Sequence, residues 1–207
     1  MLSVNFTAKS PFSTKMKIIL RAFAVVILPV CLLACKQKKK TPHEKFFPVL
    51  SFINSQVAHI DTSVYSIRKY VYIDSLHTDT IYIPREQFKD AAKDFLSLPD
   101  ISSAAFEDRF NEEKSFDETL QRVTLTYLPV NPEKEEIQRE DVLIKPDPSG
   151  DIVSNIIINS YRESRDSSVE KKLLWQTDRS FQVTIIKQLP GQKETTTTFE
   201  VTWGESE

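Results

Sequence analysis

Glycine is scarce in this chain, with three in 207 residues. Neither G-x-G-x-x-G nor G-x-x-x-x-G-K occurs, which excludes nucleotide binding through a glycine-rich loop. Cysteine is confined to positions 31 and 35, so the rest of the chain has no disulfide, Cys-ligated metal or thiol nucleophile. Histidine appears only at 43, 59 and 77, without an H-E-x-x-H motif or a pair at helical spacing, so no zinc site is expected. No G-x-S-x-G elbow marks a serine hydrolase; Ser149-Gly150 stands alone. Basic excess is also missing from the bulk of the sequence. Residues 41–207 carry 19 basic and 29 acidic side chains, a balance of −10, which argues against a nucleic-acid partner. What remains is 40% hydrophobic and 27% charged, an ordinary globular composition with enough residues for one cored domain.

The start of the chain has the opposite charge. Residues 1–35 hold Lys9, Lys15, Lys17 and Arg21 and no acid, and they end in a 13-residue apolar run, Ala22 to Ala34. That run is shorter than the roughly 20 residues a membrane-spanning helix needs. A basic start, a short apolar middle and a small closing residue make a secretory leader. Met16-Lys17-Ile18 opens a more compact version, so either Met1 or Met16 serves as a start for this reading.

The leader closes with Leu32-Leu33-Ala34-Cys35, which resembles the lipobox of bacterial lipoproteins. Cys31, preceded by Leu28-Pro29-Val30, lacks the small residue and fits less well. The resemblance covers the leader alone. It implies diacylglycerol attachment to Cys35, cleavage before it and acylation of the new amino terminus. Each acyl methylene contributes about 0.8 kcal/mol, so several chains moor a protein firmly. By the same resemblance, Lys36 is neither the aspartate of inner-membrane retention nor an acidic export signal. The expected location is the periplasmic leaflet of the outer membrane. Residues 36–42, beginning Lys-Gln-Lys-Lys-Lys, read as a basic tether near anionic headgroups, and 43–207 as the body.

Hydrophobic periodicity sets the body's expected class as α+β, with N-terminal helices on a curved antiparallel meander. Phe46, Leu50, Ile53, Val57 and Ile60 form a helical stripe that Pro48 admits only in its first turn. A strand is expected over 64–73, a return at 80–83, and a second helix after Pro84 carrying Phe88, Ala92, Phe95 and Leu96. Ser102 or Ser103 caps a short third helix. From Thr119 the period is two, giving strands at 119–128, 138–145, 151–161, 169–177, 180–189 and 194–203. Pro146 to Asp151 and Pro190-Gly191 are the turn signals between them.

Candidate chemistry is sparse. His59 and Asp61 form a possible acid–base pair, read as a solvated histidine favoured by a helix C-terminus. Asp147 and Asp151 flank a glycine turn without EF-hand spacing. Glu112, Glu113, Asp117 and Glu118, and then Glu133, Glu135, Glu136, Glu140 and Asp141, read as solvated acidic loops. A glycosidase needs two carboxylates placed face to face. The aromatics point instead to recognition: Tyr70 and Tyr72 share the strand face opposite Ile67, Val71 and Ile73, and with Phe52 they are the candidate partner surface. The expectation is a non-enzymatic envelope module with a protein partner and no cofactor. The alternatives are a carrier of an apolar ligand between helices and sheet, and a carboxylate hydrolase.

Overall fold

The first helix begins where its stripe begins to pay no amide penalty at proline. Helix α1 (Val49–Thr62) has Pro48 at its N-cap, whose carbonyl accepts the Phe52 amide at 2.9 Å. Val49, Ile53, Val57 and Ile60 are its buried residues, one face of a 3.6-residue repeat. Phe46, just before the helix, is also buried and meets Tyr127 with ring centroids 5.1 Å apart. In this computed structural model the described residues are 45–73 and 76–204. Cys35, the leader, the tether and His43 lie outside them. All described residues belong to one compact unit, Glu44–Glu207.

Nine antiparallel strands form a single sheet: β1 (Ile67–Tyr72), β2 (Thr78–Tyr82), β3 (Phe110–Asp117), β4 (Arg122–Pro129), β5 (Ile137–Lys145), β6 (Ile152–Ser164), β7 (Ser167–Gln176), β8 (Ser180–Gln188) and β9 (Thr195–Trp203). Their spatial order is β2-β1-β9-β8-β7-β6-β5-β4-β3. Strands β3 to β9 are thus an uninterrupted meander, as short turns between neighbours require. The Pro190-Gly191 turn is type II: Gly191 has φ +70° and the Gln192 amide reaches the Leu189 carbonyl at 3.1 Å.

The β1–β2 hairpin pairs with β9, so β2 and β3 are the two edges. The chain therefore has to travel from one edge to the other between Tyr82 and Phe110. It does so through short helical pieces: a 3₁₀ turn at Arg85–Gln87, α2 (Phe88–Ala91), α3 (Lys93–Leu96) and a second 3₁₀ turn at Ala104–Phe106. The single second helix expected from the sequence is broken at Ala92 (φ −86°, ψ 4°).

Helices cover one sheet face, here the inner face. Phe88 lies 5.2 Å from Trp203, Phe95 lies 5.2 Å from Trp175, and Trp175 stacks on Phe181 at 5.3 Å. All five rings are essentially buried. Each such burial contributes about 1.5–3 kcal/mol.

The expected α+β class holds in part: the antiparallel sheet is there, but the protein is mainly β with a few short helices, and those helices are not gathered at the N-terminus. The cause is β3: Phe-Asn-Glu-Glu-Lys-Ser-Phe-Asp has no apolar alternation because, after Phe110, its residues are exposed on an edge. The acidic cluster at 112–118, expected as a loop, is this strand and its turn.

Candidate functional site

The outer sheet face carries the tyrosines. Antiparallel pairing aligns Tyr70 with Thr80 and Glu200, Tyr72 with Thr78 and Thr198, and Arg68 with Tyr82 and Thr202. Lys69 and Val71 point the other way, toward Phe199 and the core; the Lys69 ammonium sits 4.1 Å from the Phe199 ring centroid. Tyr72 is 38% exposed and its hydroxyl donates to Glu200 Oε2 at 2.9 Å. Burial, followed by that carboxylate, holds the Tyr72 hydroxyl above its ordinary pKa. Tyr70 is half-buried, while Tyr82 is 65% exposed.

Phe52 does not join them. It lies on α1, half-buried, with its ring 5.8 Å from Phe47. The helix packs on the inner face, so the expected three-residue surface is split by the sheet itself. Tyr82 belongs with the tyrosine pair. Its place opposite Arg68 depends on the hairpin register, which the two-residue period of Thr80-Ile81-Tyr82-Ile83 allowed to be found once the turn was fixed.

The acidic residues of 133–141 disperse rather than cluster. Glu135 receives Arg109 through two bonds, 2.8 and 2.6 Å. Glu136 pairs with Arg162 at 2.7 Å. Asp141, on the outer face, accepts Thr126 Oγ1 and Arg139 Nε. Glu140, its immediate neighbour, points inward in the row Tyr127–Glu140–Ile158–Leu173.

Glu140 is the most deeply buried of the four buried acids among the described residues. It is 2% exposed and its Oε1 has no hydrogen-bond partner. It lines a pocket with Val49, Leu50, Ile53, Phe95, Leu98 and Ile101. Burial, reinforced by Asp100 and Asp141, pushes its carboxyl up to about 8. It is therefore protonated at neutral pH and presents a neutral O–H donor. The pocket beside it holds about 10 Å³, room for one water. Neither a sugar chain nor an apolar cargo fits there. Asp100 is not a free second carboxylate either, because its Oδ1 accepts the Ser102 hydroxyl at 2.7 Å and amide at 3.1 Å.

The remaining candidates resolve locally. His59 is exposed, its ring edge-on to Tyr65 at 6.4 Å. Asp147 Oδ1 accepts both the hydroxyl and the amide of Ser149, which holds its carboxyl below the ordinary value and makes a turn. Among the described residues no three His, Cys, Asp or Glu side chains gather as a metal site. Compared with protein-family models, with characterised proteins and with solved structures, the chain matches none.

Proposed function

We propose that the protein is an envelope lipoprotein, moored by acyl chains on Cys35, whose body serves as a non-enzymatic binding module. Its expected site is the periplasmic leaflet of the outer membrane. The observation that carries this reading is Leu32-Leu33-Ala34-Cys35 at the end of a basic, then apolar, leader. The nine residues from Lys36 to Glu44 would reach at most about 30 Å if extended, which sets how far the body stands from the bilayer. Among the described residues no helix is long and apolar enough to cross a membrane. The proposed partner surface is the outer face around Tyr70 and Tyr72, extended by Tyr82 at the β2 edge.

Replacement of the acylated thiol tests the reading. In cells fed an alkyne fatty acid, the parent chain labels and sediments with membranes. Cys35→Ser is expected to lose the label and either leave the membrane fraction or persist as an uncleaved precursor. Undiminished labelling of Cys35→Ser overturns the proposal.

A further inference from the structure

The sheet ends in two unlike edges. β3 carries Glu112, Glu113, Lys114 and Asp117, charges that resist pairing with another chain. β2, Thr-Asp-Thr-Ile-Tyr, is exposed at every position, with Ile81 at 50% and Tyr82 at 65%. It has one charge, no proline and no bulge, since its register against β1 runs unbroken from Thr78 to Tyr82. Among the described residues β1 is its one strand neighbour. An edge of this kind is a template for another strand.

The alternation of an antiparallel ladder shows which backbone groups β2 offers. The Ile83 amide donates to the Ile67 carbonyl, and the Ile73 amide to the His77 carbonyl, both at 3.0 Å. These two pairs bracket the hairpin. Within it the hydrogen-bonded pairs are therefore the odd-numbered ones, Lys69 with Ile81 and Val71 with Asp79. Ile81 and Asp79 direct their amides and carbonyls to β1. Thr78, Thr80 and Tyr82 turn theirs to the open side, three donors and three acceptors.

Those three residues are spaced evenly about Thr80, which makes the edge complementary to itself. When two copies pair antiparallel with Thr80 opposite Thr80, Thr78 faces Tyr82 at both ends. Every open group of the strand then bonds, six hydrogen bonds in all. Sliding by two residues one way sets Asp79 against Asp79, like charges face to face. Sliding the other way sets Pro84, which has no amide, against Thr78. The charges favour the centred register too. There Asp79 lies opposite Ile81 of the second copy, and the β1 neighbour of that Ile81 is Lys69. Two strand spacings, about 10 Å, separate that lysine from Asp79, within reach of its long stem. Pairing β2 with β3 of another copy would instead bring Asp79 to an edge with three acids, so the assembly closes at two. On the outer face the row becomes Tyr72–Thr78–Tyr82–Arg68, which joins the two tyrosine faces into one.

We propose that β2 is a self-association edge, through which two copies of this chain pair antiparallel about Thr80 and merge their nine-stranded sheets into one. The interface is narrow, which places it in the weak and reversible class. It stands whether or not Cys35 is acylated.

The test uses the full chain in detergent micelles kept in molar excess over protein, so that copies are not forced to share a micelle. Sedimentation velocity is expected to show a monomer–dimer equilibrium with a dissociation constant on the order of 10 µM. Thr80→Lys and Thr80→Glu each set like charges opposite one another and should weaken the dimer roughly tenfold or more, while an equimolar mixture of the two should restore it. Thr80→Pro removes the central open amide without touching a bond to β1 and should weaken the dimer as the single charges do. Position 80 is exposed, and the urea midpoint of each variant checks that it folds. A chain that is monomeric at roughly 100 µM overturns the proposal and leaves the edge to an extended segment of another protein. A dimer that persists in the folded variants overturns it as well, as does a mixture of the two charged variants that stays monomeric, or assembly beyond the dimer.

Discussion

Glu140 and Asp141 are adjacent carboxylates with opposite fates. Asp141 has a guanidinium and a hydroxyl as partners, while Glu140 has an orphaned oxygen among Val49, Ile53 and Phe95. The consequence is a pH dependence of definite sign. The folded state holds the Glu140 proton up to about pH 8, whereas an unfolded chain releases it near the ordinary glutamate value of 4.5. Between those values the folded state binds more protons, so its stability falls as pH rises. The loss over the window is on the order of 3–5 kcal/mol. Glu140→Gln keeps a neutral donor of the same shape and removes the titration. We expect its urea midpoint to match the parent near pH 4.5 and to exceed it at pH 8; equal midpoints at both pH values would refute the assignment. The sequence showed five acids in nine residues and nothing of this division. The division follows from strand alternation combined with a register shift between Ile137 and Arg139, and a bulge leaves no mark in composition.

At the scale of elements, the crossover from Ile83 to Arg109 does the most with the least regular structure. Its helices are four residues each, too short to be stable alone. They are held by what they cover: Phe88 on Phe181 and Trp203, and Phe95 on Trp175 and Phe181. Lys171 ties α3 to β7 through Asp94. Phe95→Ala should therefore cost about 3–5 kcal/mol, as for other fully buried aromatics, read as a lowered urea midpoint. A change below about 1 kcal/mol would mean that α3 does not depend on this contact. The buried positions were legible, since Phe88, Ala92 and Phe95 keep helical spacing. The break at Ala92 was not, because alanine is the best helix former and only the packing beneath it dictates the turn. Six strands of the meander were also legible from alternation and turn residues. The seventh, β3, was hidden by the charges that protect an edge from pairing with another chain.

For the whole molecule, the β1–β9 contact joins residues more than 100 positions apart, and no local pattern announces such pairing. The charge distribution, by contrast, could be read directly. A body of balance −10 follows Lys36, Lys38, Lys39 and Lys40, and under the proposed acylation of Cys35, repulsion from anionic headgroups should keep that body off the bilayer. The first described basic residue, Lys45, is already part of the fold: its ammonium bonds the Glu107 carbonyl and lies 5.1 Å from the Phe46 ring centroid. Under the proposed lipid anchor, trypsin added to membranes that carry the protein should cut first at Lys36–Lys40. The released fragment should begin between Gln37 and Thr41 by mass spectrometry, stay in the supernatant, and unfold at the same temperature as the full chain. A fragment that is cut at those lysines yet still sediments with the vesicles would show that the body grips the membrane by a surface of its own, and that the lipid is not the mooring. A first cut within residues 45–204 would show instead that the sheet and its crossover are less protected than the tether, against the burial of Phe46 and Phe88 on which the fold is built.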